Sequence, residues 1–266
     1  MKGILKKVFC VFIVATIGLS IAGCGKTSTM ERIEKSGKLV VGTSADYAPY
    51  EYHTMVDGKD TIIGIDISII EEVAKDLGVQ YEIVDTSFDG LLAALNSDKV
   101  DIVIAGMNPD EKRRKAVDFT KIYYEAKQGV LVRAEDKDKI KSIADLNGKN
   151  VGAQLGTTQE TIAKSQMENA NLVSLGKIPD LVMELKNKKI DALVVELPVA
   201  NGYVKNNSDL VLSDISVEEE SGGSAIAVKK GNSELVELIN KSLDRLMEEG
   251  AIDKFVQEAN EKNVTK

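Results

Sequence analysis

Residues 88–106 read FDGLLAALNSDKVDIVIAG. The first ten form a short helix in this reading. Val100–Ala105 is a mostly apolar, β-branched strand of the buried type, closed by Gly106. A charged loop or helix follows over Asn108–Val117. Upstream, Lys38–Thr43 (KLVVGT) reads as a strand, Ser44–Tyr52 as a loop with a proline and three tyrosines, and Val79–Asp85 as a second strand. Between them Ile62–Leu77 carries Ile65, Ile69, Ile70, Val73, Ala74 and Leu77 at 3.6-residue spacing, and Gly78 closes that helix. Downstream, Gly129–Arg133 is another strand. This β-α-β-α-β alternation predicts an open α/β sheet. The second half repeats it: strands at Asn150–Ala153, Asn171–Leu175 and Asp191–Val195, helices from Gly156 through Met167, over Pro179–Lys188 and from Pro198. A strand at Gly223–Lys229 and helices over Leu235–Glu249 and Ile252–Asn260 end the chain. Two α/β lobes of about 90 residues each are expected.

Composition narrows the chemistry. With 266 residues, 43% apolar and 29% charged, the chain has ordinary globular usage. Lys and Arg total 34 against 42 Asp and Glu, a net charge of -8, which disfavours a nucleic-acid partner. Aromatic residues make up 5% and there is no Trp, so binding mainly by stacking is disfavoured. Two Cys and one His are too few for a Cys/His zinc site, and no metal or cofactor is expected. His53 lies in EYHTMVDGKD and reads as solvated surface.

Residues 1–23 read MKGILKKVFCVFIVATIGLSIAG. Lys2, Lys6 and Lys7 precede the apolar run Val8–Ile21, a secretory rather than a membrane-spanning pattern. Ala22-Gly23-Cys24 resembles a bacterial lipobox, which predicts cleavage before Cys24 and a lipid anchor on it. Residues 24–37 are expected to form a flexible tether.

In open α/β sheets ligands bind outside the carboxyl ends of strands. The loops at these positions carry Ser44, Asp46 and Tyr47; Phe88; Ala105, Gly106, Met107, Asn108 and Arg113; Gln154, Thr157 and Thr158; and Glu196. Together they suit an amino acid. Arg113 can fork onto an α-carboxylate, and the backbone N–H groups at Thr157 and Thr158 favour the same anion. Glu196 can take the α-ammonium, with Asn108 and the carbonyl after Ala105 completing its hydrogen bonds. Phe88 and Tyr47 supply apolar walls. Each signal alone has a plainer reading: Arg113 as surface charge in DEKRRK, Glu196 as a helix cap, Phe88 as core.

Several ordered motifs resemble one family. They are Gly64-Ile65-Asp66-Ile67, Ser87–Leu95, Val100–Met107, Lys115–Thr120, Val151–Gln159 and Asp191–Pro198. From about Lys38 onward the chain resembles the bacterial extracellular solute-binding proteins of family 3, which feed polar amino acids to ABC importers. Departures are Ser68, Asp110 and Lys112, where acid, Thr and Glu are usual. The resemblance implies Arg113 on the carboxylate, the Thr158 backbone amide beside it, Glu196 on the ammonium, Asn108 in place of a usual Thr or Ser, and Tyr47 and Phe88 sandwiching the side chain. Gln154 and Ser44 match positions that vary with ligand. The implied fold is the two-lobed, type II periplasmic-binding-protein-like fold, its lobes joined by two crossing hinge strands at about 125–130 and 220–225, with the ligand in the interlobe cleft. Lobe 1 would comprise 38–127 and 225–266, lobe 2 residues 128–224.

The implied function is a non-enzymatic, monomeric receptor outside the cell that closes on its ligand and docks on a membrane permease with its ATPase. Asp46, with Ser44 and Gln154, makes a polar floor. The acidic chain and Asp46 favour a basic amino acid, arginine or lysine, with glutamine next. A ligand-sensing lipoprotein and a dehydratase on the same fold are the alternatives.

Overall fold

The computed structural model describes residues 28–125, 127–219 and 222–263. The secretory segment and Cys24 lie outside the described residues. In chain order the first lobe is built from α1 (Thr29–Ser36), β1 (Lys38–Thr43), β2 (Asp46–Tyr47), β3 (Glu51–Val56), β4 (Lys59–Ile63), α2 (Ile65–Asp76), β5 (Gln80–Asp85), α3 (Leu91–Asn96), β6 (Ile102–Val103), α4 (Glu111–Ala116) and β7 (Val117–Tyr124). The second lobe follows with β8 (Gln128–Arg133), β9 (Asn150–Gln154), α5 (Thr158–Gln166), β10 (Asn171–Leu175), α6 (Ile178–Lys186), β11 (Ala192–Glu196), α7 (Leu197–Asn206) and β12 (Leu210–Leu212). The chain returns to the first lobe as β13 (Ser224–Lys229), α8 (Ser233–Glu248) and α9 (Ala251–Lys262).

The two main sheets have the same plan. The first runs β5-β1-β6-β13-β7 and the second β10-β9-β11-β8-β12. In each, the first three βα strands are parallel, and the fourth position is filled by an antiparallel strand. Strands β8 and β11 are buried along their whole length, as sheets covered by helices on both faces require. One apolar cluster crosses the lobe boundary, uniting Leu39, Ile65 and Ile69 with Leu131, Leu181 and Leu193. The C-terminal segment also touches both lobes. Tyr52 Oη donates to the Ala259 carbonyl at 3.1 Å, while on α7 Lys205 and Asn206 donate to the carbonyls of Asn260 and Asn263 at 3.3 and 3.0 Å.

Several stretches differ from the sequence reading: the strand expected over Val100–Ala105 is regular only at Ile102–Val103, β7 and β12 are not part of that reading, and three further stretches change their element. The expected tether at 24–37 contains α1, which Ser28 and Glu31 cap reciprocally. Ile33 is buried, and Arg32 reaches Asp98 and Asp101 at 3.3 and 2.8 Å, so this part of the chain is docked on the first lobe. The loop expected over Ser44–Tyr52 enters a three-stranded antiparallel sheet, β2-β3-β4. Asp57 and Gly58, both at positive φ (51° and 76°), make its hairpin turn. The helix expected from Ile62 therefore starts at Ile65, because Ile62 and Ile63 pair with His53 and Tyr52. His53 is exposed, as read, and it also sits between two carboxylates, Asp60 at 3.0 Å and Asp85 at 3.2 Å. Partial burial opposes its charge, but those hydrogen bonds outweigh it and raise its pKa.

Gly64 sets the entry to α2. Its φ is 138°, and a Cβ there would lie 2.1 Å from the Tyr50 carbonyl oxygen. The close approach lets the Ile65 and Asp66 amides donate to the Pro49 and Tyr50 carbonyls at 3.1 and 3.0 Å, tying α2 to the loop that carries Tyr47. Gly64→Ala is expected to destabilise the protein by about 2–4 kcal/mol, combining backbone strain with overpacking. Urea denaturation checks this: the midpoint falls with an unchanged slope.

Candidate functional site

The site forms where the carboxyl ends of the two sheets face each other. From the first lobe, the segment after β1 brings Ser44, Asp46 and Tyr47, and the turn before α3 brings Phe88. The segment after β6 brings residues 104–108, and α4 brings Arg113. From the second lobe, the turn between β9 and α5 brings Gln154 to Thr158, and the end of β11 brings Glu196. All but Asp46 of the side chains expected to touch ligand are buried, and Asp46 is half-buried.

Asn108 joins the lobes. Its Nδ2 donates to Glu196 Oε1 at 2.9 Å and to the Gly223 carbonyl at 3.1 Å, and its Oδ1 accepts from Thr158 Oγ1 at 2.6 Å. Two acceptors on one side and a hydroxyl on the other fix the amide orientation. Other polar groups continue around it. Thr158 Oγ1, whose one proton goes to Asn108, lies 3.4 Å from Gln159 Oε1, Gln159 Nε2 donates to Gln128 Oε1 at 2.9 Å, and Gln128 Nε2 reaches Glu196 Oε1 at 3.5 Å. Glu196 Oε2 and Tyr50 Oη are buried without a hydrogen bond of normal geometry. Burial pushes the Glu196 carboxyl up to about 7, against the opposing effect of Tyr50, Asn108 and Gln128. That free oxygen is an acceptor for a cation.

Arg113 is 7% exposed. Its Nη1 donates to the Asn108 carbonyl at 2.7 Å, its Nη2 donates across the cleft to the Gly156 carbonyl at 3.0 Å, and its Nε faces Asp110 at 3.4 Å. A guanidinium has five N–H donors, so each terminal nitrogen keeps one for a carboxylate. The cation lies 5.2 Å from the Phe88 ring centroid. Burial lowers its pKa, and Asp110 and Glu196 counter that. Asp110, a departure from the family pattern, caps α4 by accepting from the Arg113 amide at 2.7 Å and so helps aim the Arg113 side chain.

A second contact spans the lobes at Asp46, which accepts from Gln154 Nε2 at 3.4 Å. Burial raises the Asp46 carboxyl to about 6, against Gln154 and Lys177. Tyr47 stacks on Tyr50 with centroids 5.4 Å apart. Gly106, at φ 52°, lets the Tyr47 ring pass close by, since a Cβ there would meet it at 3.0 Å.

Not every expected residue turns its side chain to this cluster. Ala105 and Met107 pack in the first lobe's core, and the Met107 carbonyl accepts from Ala225. Thr157 caps α5, accepting from the Glu160 amide at 3.1 Å and donating to the Gln154 carbonyl at 2.6 Å. Ser44 is buried beside Asp46, and its carbonyl accepts from the Asp46 amide at 2.7 Å. Tyr50, Gln128 and Gln159 escape the sequence reading. Tyr50 stood in a tyrosine-rich loop already noted, whereas Gln128 and Gln159 meet only through the fold. Among the described residues, no group of three or more His, Cys, Asp or Glu is placed to hold a metal ion.

The model of the bacterial extracellular solute-binding proteins, family 3, matches residues 39–260. The arginine-binding extracellular protein ArtP of Bacillus subtilis is 39% identical over 256 residues, covering 94% of this chain and 96% of that protein. A probable histidine-binding protein of Campylobacter jejuni is 35% identical over 257 residues, covering 95% and 98%. Among solved structures, the amino acid ABC transporter substrate-binding protein AbpA from Streptococcus pneumoniae, bound to L-arginine, matches with a TM-score of 0.86 at 41% identity, covering 89% of this chain and 100% of that one. Matched over most of its length, and with two like sheets meeting at a polar cleft, the chain belongs to the bacterial extracellular solute-binding proteins of family 3.

Proposed function

We propose that this protein is the receptor of an ABC importer for a basic amino acid, arginine first, and that it is held outside the cell by a lipid on Cys24. The observation that carries the ligand class is the charge count of the cleft. Arg113 and Glu196 suit the carboxylate and ammonium common to every amino acid. Asp46 is then a second carboxylate with no cation hydrogen-bonded to it among the described residues, set where Gln154 meets it across the lobes; the field of Lys177 is opposed by Asp85 and Asp180. A cationic side chain balances it and a neutral one does not. The arginine-binding relative and the arginine-bound structure support the same reading.

Capture is by closure. Ligand touching both lobes stabilises the arrangement in which Asn108, Arg113 and Asp46 reach Thr158, Gly156 and Gln154. The closed form then docks on the permease, whose ATPase drives import. The reading is of a receptor and not an enzyme, because Glu196, the carboxyl that a dehydration would recruit, is committed to the ammonium.

Calorimetry against the twenty amino acids, after unfolding and refolding to strip bound ligand, tests this. Arginine is expected to bind tightest, and an absence of heat with any basic amino acid would overturn the reading. Arg113→Ala is expected to weaken arginine about 100-fold or more by removing charge-assisted hydrogen bonds.

The pH dependence separates ligand classes. A bound ammonium favours ionised Glu196, so any amino acid loses affinity as pH falls below about 7. A cationic side chain also favours ionised Asp46, so arginine loses a further factor as pH falls below about 6. The ratio of arginine to glutamine affinity should therefore shrink about tenfold per pH unit below that point, and Asp46→Asn should flatten it. A ratio constant from pH 8 to pH 4.5 in the parent protein would contradict the role given to Asp46.

A further inference from the structure

Behind the cleft lie two acidic side chains that the ligand reading does not use. Glu51 on β3 and Asp66 in the first turn of α2 are both fully buried. Asp66 is supplied with donors: the Gly106 amide gives to Oδ2 at 2.8 Å and Tyr123 Oη gives to Oδ1 at 2.8 Å. Glu51 is not, since neither of its oxygens accepts a hydrogen bond. The Asp66 amide donates to the carbonyl of Tyr50, the residue before Glu51, at 3.0 Å, so the two side chains are neighbours and each acts on the other. A hydrogen bond between them needs a proton on one of them, and Glu51, which lacks donors of its own, is where it belongs.

We propose that Glu51 and Asp66 share one proton as a buried acid–carboxylate pair, and that this pair positions the 105–108 segment for ligand. The groups that face the pair allow no other neutralisation. Around Glu51 stand Asp66 from α2, Asp46 from β2 and Glu196 from β11, all acidic. Tyr123 on β7 feels Asp66 and Glu51, and Tyr47 feels Glu51. Among the described residues, no lysine or arginine is among the main groups that act on either carboxyl. Two like charges in contact, buried and without a cation, do not both ionise. Burial and then Asp66 push the Glu51 carboxyl well above its ordinary range, and burial raises Asp66 to about 6 against its donors.

The link to ligand is geometric. Gly106 is held by Asp66, and two residues later Asn108 holds Glu196, Thr158 and, through its carbonyl, Arg113. Glu51 therefore acts through Asp66 and Gly106 as a positioning residue.

Two variants test the pair. Glu51→Gln keeps a neutral donor toward Asp66, and Glu51→Leu removes it. With L-arginine at pH 7, Gln is expected to hold the affinity within about threefold, whereas Leu weakens it about tenfold or more, given what loss of a buried hydrogen-bond partner costs. The stability profile reads the proton itself. An acid whose pKa is raised on folding binds more protons in the native state. Parent stability is therefore lost as pH rises from the unfolded value near 4.5 toward the folded one. Glu51→Gln removes that loss, so its melting temperature should gain on the parent steadily from pH 5 to pH 8. A pH-independent difference between Gln and parent would overturn the shared proton, even if Leu does not fold. Gln as impaired as Leu, or Leu binding like the parent, would overturn the positioning role. The binding arm rests on the amino-acid reading above and the melting arm does not, so the failure of either is distinguishable.

Discussion

The hydrogen bond from Asn108 to Glu196 makes one event of two. A carboxylate buried at the end of β11 is costly to keep charged, and among the described residues the second lobe alone offers it only the distant amide of Gln128. The better donor comes from the first lobe, and the same amide nitrogen also holds the Gly223 carbonyl where the chain crosses back. Bringing the lobes together is thus also what satisfies Glu196. Separating them leaves that carboxylate to be hydrated and breaks the Thr158 and Arg113 contacts with it. Closure and electrostatic satisfaction are coupled through one side chain.

Much of this was legible in the sequence, and the reasons are local. Ile102–Val103, the ordered part of the strand expected at 100–105, and its counterpart Ala192–Glu196 are strands because they are apolar and β-branched, and the loops that follow them carry polar groups where a sheet of this kind binds ligand. Arg113 and Glu196 follow from that logic, and the family motifs order them. The hairpin was legible and went unread: Asp57-Gly58 is a turn signal, but Ile62 and Ile63 also fit the helical spacing of the segment after them. The capped helix at 29–36 hid in a polar stretch whose two apolar anchors, Met30 and Ile33, give little periodicity. Tyr50, Gln128 and Gln159 had no local signal for their role, because their partners lie on other elements and only the tertiary arrangement brings them together.

Proteins of this plan are commonly pictured as two bodies on a pair of strands. Here the C-terminal segment adds a brace. Its helix packs on the first lobe, yet Lys205 and Asn206 of the second lobe hold its last carbonyls. Two strands by themselves permit twisting as readily as bending. A brace away from the strand pair suppresses the twist while it holds, and it has to be released before the lobes part widely. Whatever share of the ligand-free population such a brace holds shut lowers the cost of closing, and the ligand's apparent affinity rises with that share.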